Sequence, residues 1–149
     1  MTAKNLYDRD FLQWTQCNAA LLRAGRFAEA DIEHVAEEIE DMGKSQHNEL
    51  RNRLRVLLIH LLKCGHAGRP SSSWIRTINT QRASIDTLLE TAPSLRPTLS
   101  DNLDKAYRRA AHDTAREMRL TENPFPESCP FSLREVLDEE FIPNVDATR

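Results

Sequence analysis

Six leucines, Leu50, Leu54, Leu57, Leu58, Leu61 and Leu62, recur at helical spacing through the middle of the chain. Such spacing lines one face of an α-helix and would scatter over both faces of a strand, so it commits the centre of the fold to a helix. Upstream, Ile32, Val35, Ala36, Ile39 and Met42 trace a matching stripe, and Asp31 ahead of them suits a helix N-cap. Unbroken from Asp31 to Cys64, this element would run for about 34 residues, or roughly 50 Å. Gly43 interrupts it, at about 1 kcal/mol relative to alanine in a helix interior. It marks a kink, a break or a point where another helix comes close, and the expectation is two helices nearly in line, bent between Gly43 and Ser45.

The flanking segments carry the same period. An opening helix is expected from Tyr7 to Arg23, with Asn5 and Asp8 as reciprocal caps and Phe11, Trp14, Asn18 and Leu21 on one face. Gly25 supplies its left-handed end, onto which Phe27 is expected to fold back. Ser72 or Ser73 caps a helix bearing Ile75, Ile78, Arg82, Ile85 and Leu89. Pro93 and Pro97 bracket a link to a helix from Thr98 to Leu120, with Leu99, Leu103, Ala106, Tyr107 and Ala110 inward. Pro124 to Pro130 is too rich in proline for regular structure, and Ser132 with Glu135 forms a capping box for a short last helix through Leu137. Phe141 and Pro143 close the fold, and the tail beyond is expected to fray. No strand-like alternation, internal repeat or low-complexity linker competes. The sequence therefore predicts an all-α compact bundle of four to six helices, one of them long and kinked or broken near Gly43, in a single domain over residues 1–149.

With 149 residues, 40% of them hydrophobic, the chain is long enough to bury a core and too apolar for disorder. No run approaches the roughly 18 apolar residues of a membrane span. The first apolar residues are separated by Asp8, Arg9, Asp10 and Gln13, so no signal peptide is expected. Cys17, Cys64 and Cys129 are odd in number and widely spaced, which suits free thiols in a reducing compartment. These features point to the cytoplasm.

Charge is distributed in opposed blocks. Residues 29–41 hold Glu29, Asp31, Glu33, Glu37, Glu38, Glu40 and Asp41 with no lysine or arginine. Residues 51–82 hold Arg51, Arg53, Arg55, Lys63, Arg69, Arg76 and Arg82 with no acid. The plainest reading is complementarity within or between subunits, with much of each block solvated. A nucleic-acid backbone held by Arg51, Arg55 and Arg76 is an alternative, weakened by interspersed core leucines, the acidic neighbour and the lack of a binding motif. An anionic small molecule or another protein is a third.

Polar residues on apolar faces are the remaining candidates. Arg82 lies in phase with Ile78 and Ile85, so its guanidinium requires a partner, expected among the acids of Glu37 to Asp41 or at Glu49. Trp14 and Trp74 read as core or interface anchors, and His60 as a hydrogen-bonded residue at the core edge. A di-iron bundle needs a Glu-x-x-His pair on each of two helices, and that pair never occurs; His34-x-x-Glu37 runs the opposite way. His60 and Cys64, with His66 beyond, would hold zinc only with ligands from another helix. A nucleophilic site at Cys64 and His66 is disfavoured because side chains two apart on a helix diverge. Glycine-rich phosphate loops, nucleophile elbows and HExxH motifs are missing. No cofactor and no metal are expected.

The run Leu6-Tyr7-Asp8-Arg9-Asp10-Phe11 with Trp14, then Leu21 to Phe27, resembles a bacterial family catalogued as domain of unknown function twenty-nine. The likeness continues through Ala36 to Gly43, His60-Leu61-Leu62-Lys63, Ser73-Trp74, Gln81-Arg82, Pro93 to Arg96, and Phe125-Pro126 to Cys129-Pro130, over nearly the whole chain. Where the family usually has tryptophan after His-Leu-Leu-Lys, this chain has Cys64. The resemblance implies an all-helical bacterial protein and a shared constellation of Glu37, Glu38, Gly43, His60, Trp74 and Arg82, and it implies no activity. The expected function is a non-enzymatic interaction or structural domain, acting through protein contacts or as a homo-oligomer. The enzyme alternative is a small hydrolase or nuclease using Glu37, Glu38, His60 and Arg82, with or without a metal; no membrane contact and no identifiable small ligand are expected.

Overall fold

Asp10 decides where the first substantial helix begins. Its carboxylate accepts the Gln13 N–H at 3.0 Å, so the helix starts at Phe11 rather than at Tyr7. The structure, a computed structural model, describes residues 3–143; the expected fraying of the tail lies outside them. Short α1 (Ala3–Leu6) precedes α2 (Phe11–Arg23), which ends where Gly25 takes φ +70°. Then follow α3 (Ile32–Ala67), α4 (Ser72–Thr91), a 3₁₀ segment (Pro93–Thr98), α5 (Leu99–Glu117) and α6 (Leu133–Leu137). Among the described residues there is no strand, and no helix is long and apolar enough to cross a membrane.

The α3 helix runs through Gly43 without interruption, so the expected pair of helices is one element of 36 residues. Its backbone bonds and flanking helix formers outweigh the propensity penalty of one glycine. A Cβ built on Gly43 meets nothing within 4 Å. Gly43→Ala is therefore expected to raise stability by about 1 kcal/mol, read as a higher Tm in thermal unfolding.

By its contacts the chain divides into two compact units, Met1–Ser45 and Gln46–Arg149. The second holds the leucine core. Leu50, Leu54, Leu57, Leu58 and Leu61 are fully buried with Ile78, Ile85, Ala110 and Val136, and Tyr107 joins them while its hydroxyl donates to the Pro126 carbonyl at 2.5 Å. Arg53 meets Gln81 and Lys63 sits 5.9 Å from the Trp74 ring, so α4 runs antiparallel to α3. Arg51, Arg55 and Lys63 bind Asn102, Asp113 and Glu117 in that order, so α5 runs parallel to it. Ser71, one residue before the expected caps, accepts the Trp74 N–H at 3.2 Å and starts α4. The Ser132–Glu135 capping box is present, and Phe141 packs against Phe131 with ring centroids 5.8 Å apart.

Arg82 is buried, as its phase requires, but its partners are not carboxylates of α3. Its Nε donates to the Val136 carbonyl at 2.9 Å and Nη2 to the Glu135 carbonyl at 3.2 Å. These are main-chain acceptors at the end of α6, where the helix dipole is negative. Burial lowers the guanidinium pKa, and Asp138 and Glu139 act in the other direction.

Candidate functional site

The first unit has too few residues for a core like that of the second, and its buried apolar side chains reduce to Leu6, Trp14 and Ala30 among the described residues. A polar cluster fixes α2 to the start of α3 instead. Asp31, Trp14 and Asn18 are each at most 3% exposed. The Trp14 indole donates to Asp31 Oδ2 at 3.0 Å, and the His34 Nδ1 donates to the same oxygen at 2.6 Å. Asn18 accepts the Asp31 backbone N–H at 2.8 Å and donates to the Trp14 carbonyl at 2.9 Å. Tyr7 lies flat on the His34 ring, with centroids 3.8 Å apart, and donates its hydroxyl to Glu38 at 2.5 Å. Phe11 stacks on Trp14 at 5.5 Å.

Burial pushes the Asp31 carboxyl up, but the His34 and Trp14 hydrogen bonds outweigh it and hold the group below its ordinary value. The hydrogen bond to Asp31 raises His34 against a smaller opposing effect of burial. Bonding to Glu38 pushes the Tyr7 hydroxyl up to about 12. The sign follows for each partner. Stability from His34 is full below the ordinary histidine value and is lost as pH rises through the raised one. Stability from Asp31 is full above the ordinary carboxylate value and is lost as pH falls through the depressed one. The cluster is thus expected to be firmest between about pH 4 and 6.5. In NMR titrations His34 should titrate above an ordinary histidine, and Asp31→Asn should bring it down; an unmoved midpoint would contradict the pairing.

With Nδ1 committed to Asp31, the half-buried His34 retains Nε2 as its second polar atom. None of the hydrogen bonds of the described residues joins His34 to a serine, threonine or cysteine, so no nucleophilic triad is formed there. No three His, Cys, Asp or Glu side chains among the described residues are grouped to hold a metal ion.

The expected site residues are divided between the two units. Glu37 and Glu38 belong to the first unit, where Glu38 receives Tyr7 and Glu37 is exposed. His60 and Arg82 belong to the second. His60 donates through Nδ1 to the Val56 carbonyl at 2.8 Å on its own helix, and Arg82 holds the end of α6. Cys64 is buried, and burial raises its thiol pKa, away from thiolate chemistry. Sequence reading took Asp31 as a helix cap and Trp14 as an anchor, and missed that they form one cluster with His34 and Tyr7. The Tyr-Asp run before Trp14 and the Asp-x-x-His spacing were the available signals, but only the fold joins them.

The apolar stripe at the start of α3 is left open. Among the described residues, Ile32, Ile39 and Met42, with Phe11, Leu12 and Phe27, are the exposed large hydrophobic side chains, each 48% to 68% exposed. All six lie in the first unit. Phe27 therefore does not fold back onto α2 as a buried contact. At about 100° per residue, Ile32, Ala36, Ile39 and Gly43 share one narrow strip, with Val35 and Met42 beside it and Glu33, Glu37 and Glu40 along the far edge. Glu29, Asp31 and Asp41 of the acidic block pair with Arg26, His34 and Lys44. No ion pair of the described residues holds Glu33, Glu37 or Glu40. Arg53, Arg55 and Lys63 of the basic block are answered inside the second unit by Glu49, Asp113 and Glu117.

Fold and site together define an all-helical protein whose first unit is clamped by polar bonds and presents an apolar, acid-edged helix face. A family model described as Domain of unknown function DUF29 matches residues 6–142, and the chain belongs to that family. No curated protein and no solved structure matches the chain.

Proposed function

We propose that the protein is an interaction domain whose first unit docks a cationic amphipathic helix of a partner protein. The carrying observation is the open α3 strip of Ile32, Ile39 and Met42, beside Glu33, Glu37 and Glu40, which no ion pair of the described residues holds. Exposed contiguous apolar surface rimmed by charge marks a binding face. Gly43 lies on this strip with open space beside it, which permits close approach of a partner backbone.

Charge selects the occupant. Against a second copy laid antiparallel, the acid edge meets its own image; laid parallel, it meets the edge carrying Glu38. A partner with leucine-like residues flanked by lysine or arginine satisfies both parts of the face. The hydrolase and nuclease alternatives rest on Glu37, Glu38, His60 and Arg82, and all but the exposed Glu37 already hold structure through Tyr7, Val56 or α6.

The test uses a labelled 14-residue leucine–lysine amphipathic helix and a scrambled peptide of equal composition. Fluorescence anisotropy is expected to show binding of the first only, weakened at least tenfold in Ile39→Ser/Met42→Ser and reduced by salt. Equal binding of the scrambled peptide would refute docking. A concentration-dependent dimer in light scattering, dissolved by the same double variant, would assign the face to a second copy instead.

A further inference from the structure

Two helices of the second unit bring like charges together. Arg51 and Arg55 stand one turn apart on α3, and Lys105 and Arg109 one turn apart on α5. All four line an open groove of about 550 Å³ with Asn52 and Ala106. Like charges one turn apart on a helix repel, and here two such pairs face one groove.

The arginine heads are also held in place. Arg51 donates through Nε and Nη2, each at 3.3 Å, to the Oδ1 of buried Asn102. Asn102 is itself oriented, donating to Thr98 Oγ1 at 3.0 Å, and Thr98 donates to the Leu95 carbonyl at 2.6 Å. Arg55 is held by Asp113 at 3.0 Å. An amide fixes Arg51 without neutralising it. The groove has two carboxylates at its margin, Asp101 at 3.2 Å from Lys105 and Asp113 shared by Arg55 and Arg109. Four cations against two acids leave a positive excess, centred on Arg51.

We propose that this α3/α5 groove binds an oligophosphate, a linear anion of at least two linked phosphates. Guanidinium forks match phosphate oxygens in paired hydrogen bonds, and a lysine adds a point charge. Cations on two turns of two helices offer a chain of linked phosphates more contacts than a single phosphate. No aromatic side chain lines the groove, so recognition stops at the phosphates and treats inorganic oligophosphate and a nucleotide triphosphate tail alike. This site is independent of the docking face on the first unit.

Calorimetry at low salt with tripolyphosphate, ATP and orthophosphate tests the assignment. Tripolyphosphate and ATP are expected to bind with similar affinity, and orthophosphate at least tenfold more weakly. Lys105→Gln, at an exposed position, should weaken tripolyphosphate about tenfold with an unchanged Tm. Asn102→Asp should weaken it comparably although every cation is retained, because it neutralises Arg51. No tripolyphosphate binding, or binding indifferent to both substitutions, overturns the proposal. ATP preferred by tenfold or more overturns the phosphate-only reading, and DNA duplex binding without tripolyphosphate binding assigns the groove to nucleic acid instead.

Discussion

Asp31→Ala is expected to release α2 from the start of α3 at a loss of about 3 kcal/mol within the first unit. Two effects add. The buried Trp14 indole loses its acceptor, and an orphaned buried donor costs about 1–3 kcal/mol. The start of α3 loses a carboxylate whose pKa is lowered partly by the His34 backbone N–H, a capping interaction worth about 1 kcal/mol. With Leu6, Trp14 and Ala30 as its buried apolar side chains, the unit has little else to hold it. Trp14 fluorescence should shift to the red, and amide exchange should accelerate over Phe11–Arg23. Because Asp31→Asn retains a side-chain oxygen that can accept one of these bonds, its loss should be smaller. Equal losses for the two variants would mean that the negative charge, not a retained acceptor oxygen, holds the cluster.

Arg82→Ala is expected to destabilise the second unit by about 2–4 kcal/mol. It removes the donors of the Glu135 and Val136 carbonyls and leaves a cavity beside fully buried Val136. Exchange at the α6 amides should rise first, followed by a lower global Tm. Arg82→Lys should recover little, since one ammonium does not reproduce a planar fork directed at two adjacent carbonyls. Full rescue by lysine would contradict this geometry.

These two residues also show where sequence reading succeeds and where it stops. The leucines from Leu50 to Leu62 were legible because burial imposes a period, and the Ser132–Glu135 box was legible because its partners lie three residues apart. Arg82 was legible as buried from its phase with Ile78 and Ile85. Its partners were not, because backbone carbonyls carry no residue signature. Trp14 and Asp31 are separated by seventeen residues, beyond any local pattern. The stripe of Ile32, Ile39 and Met42 was visible, but periodicity reports that a face is apolar and not whether the chain covers it. That distinction depends on how much chain is available to pack there, and the first unit has little.

The docking face is the central claim, and methyl and amide NMR during titration with the leucine–lysine helix tests it most directly. Shift changes are expected at Ile32, Ile39 and Met42 and along Glu33 to Glu40, with the leucine core of the second unit unmoved. Changes concentrated in the second unit, or none at saturating peptide, would contradict the account.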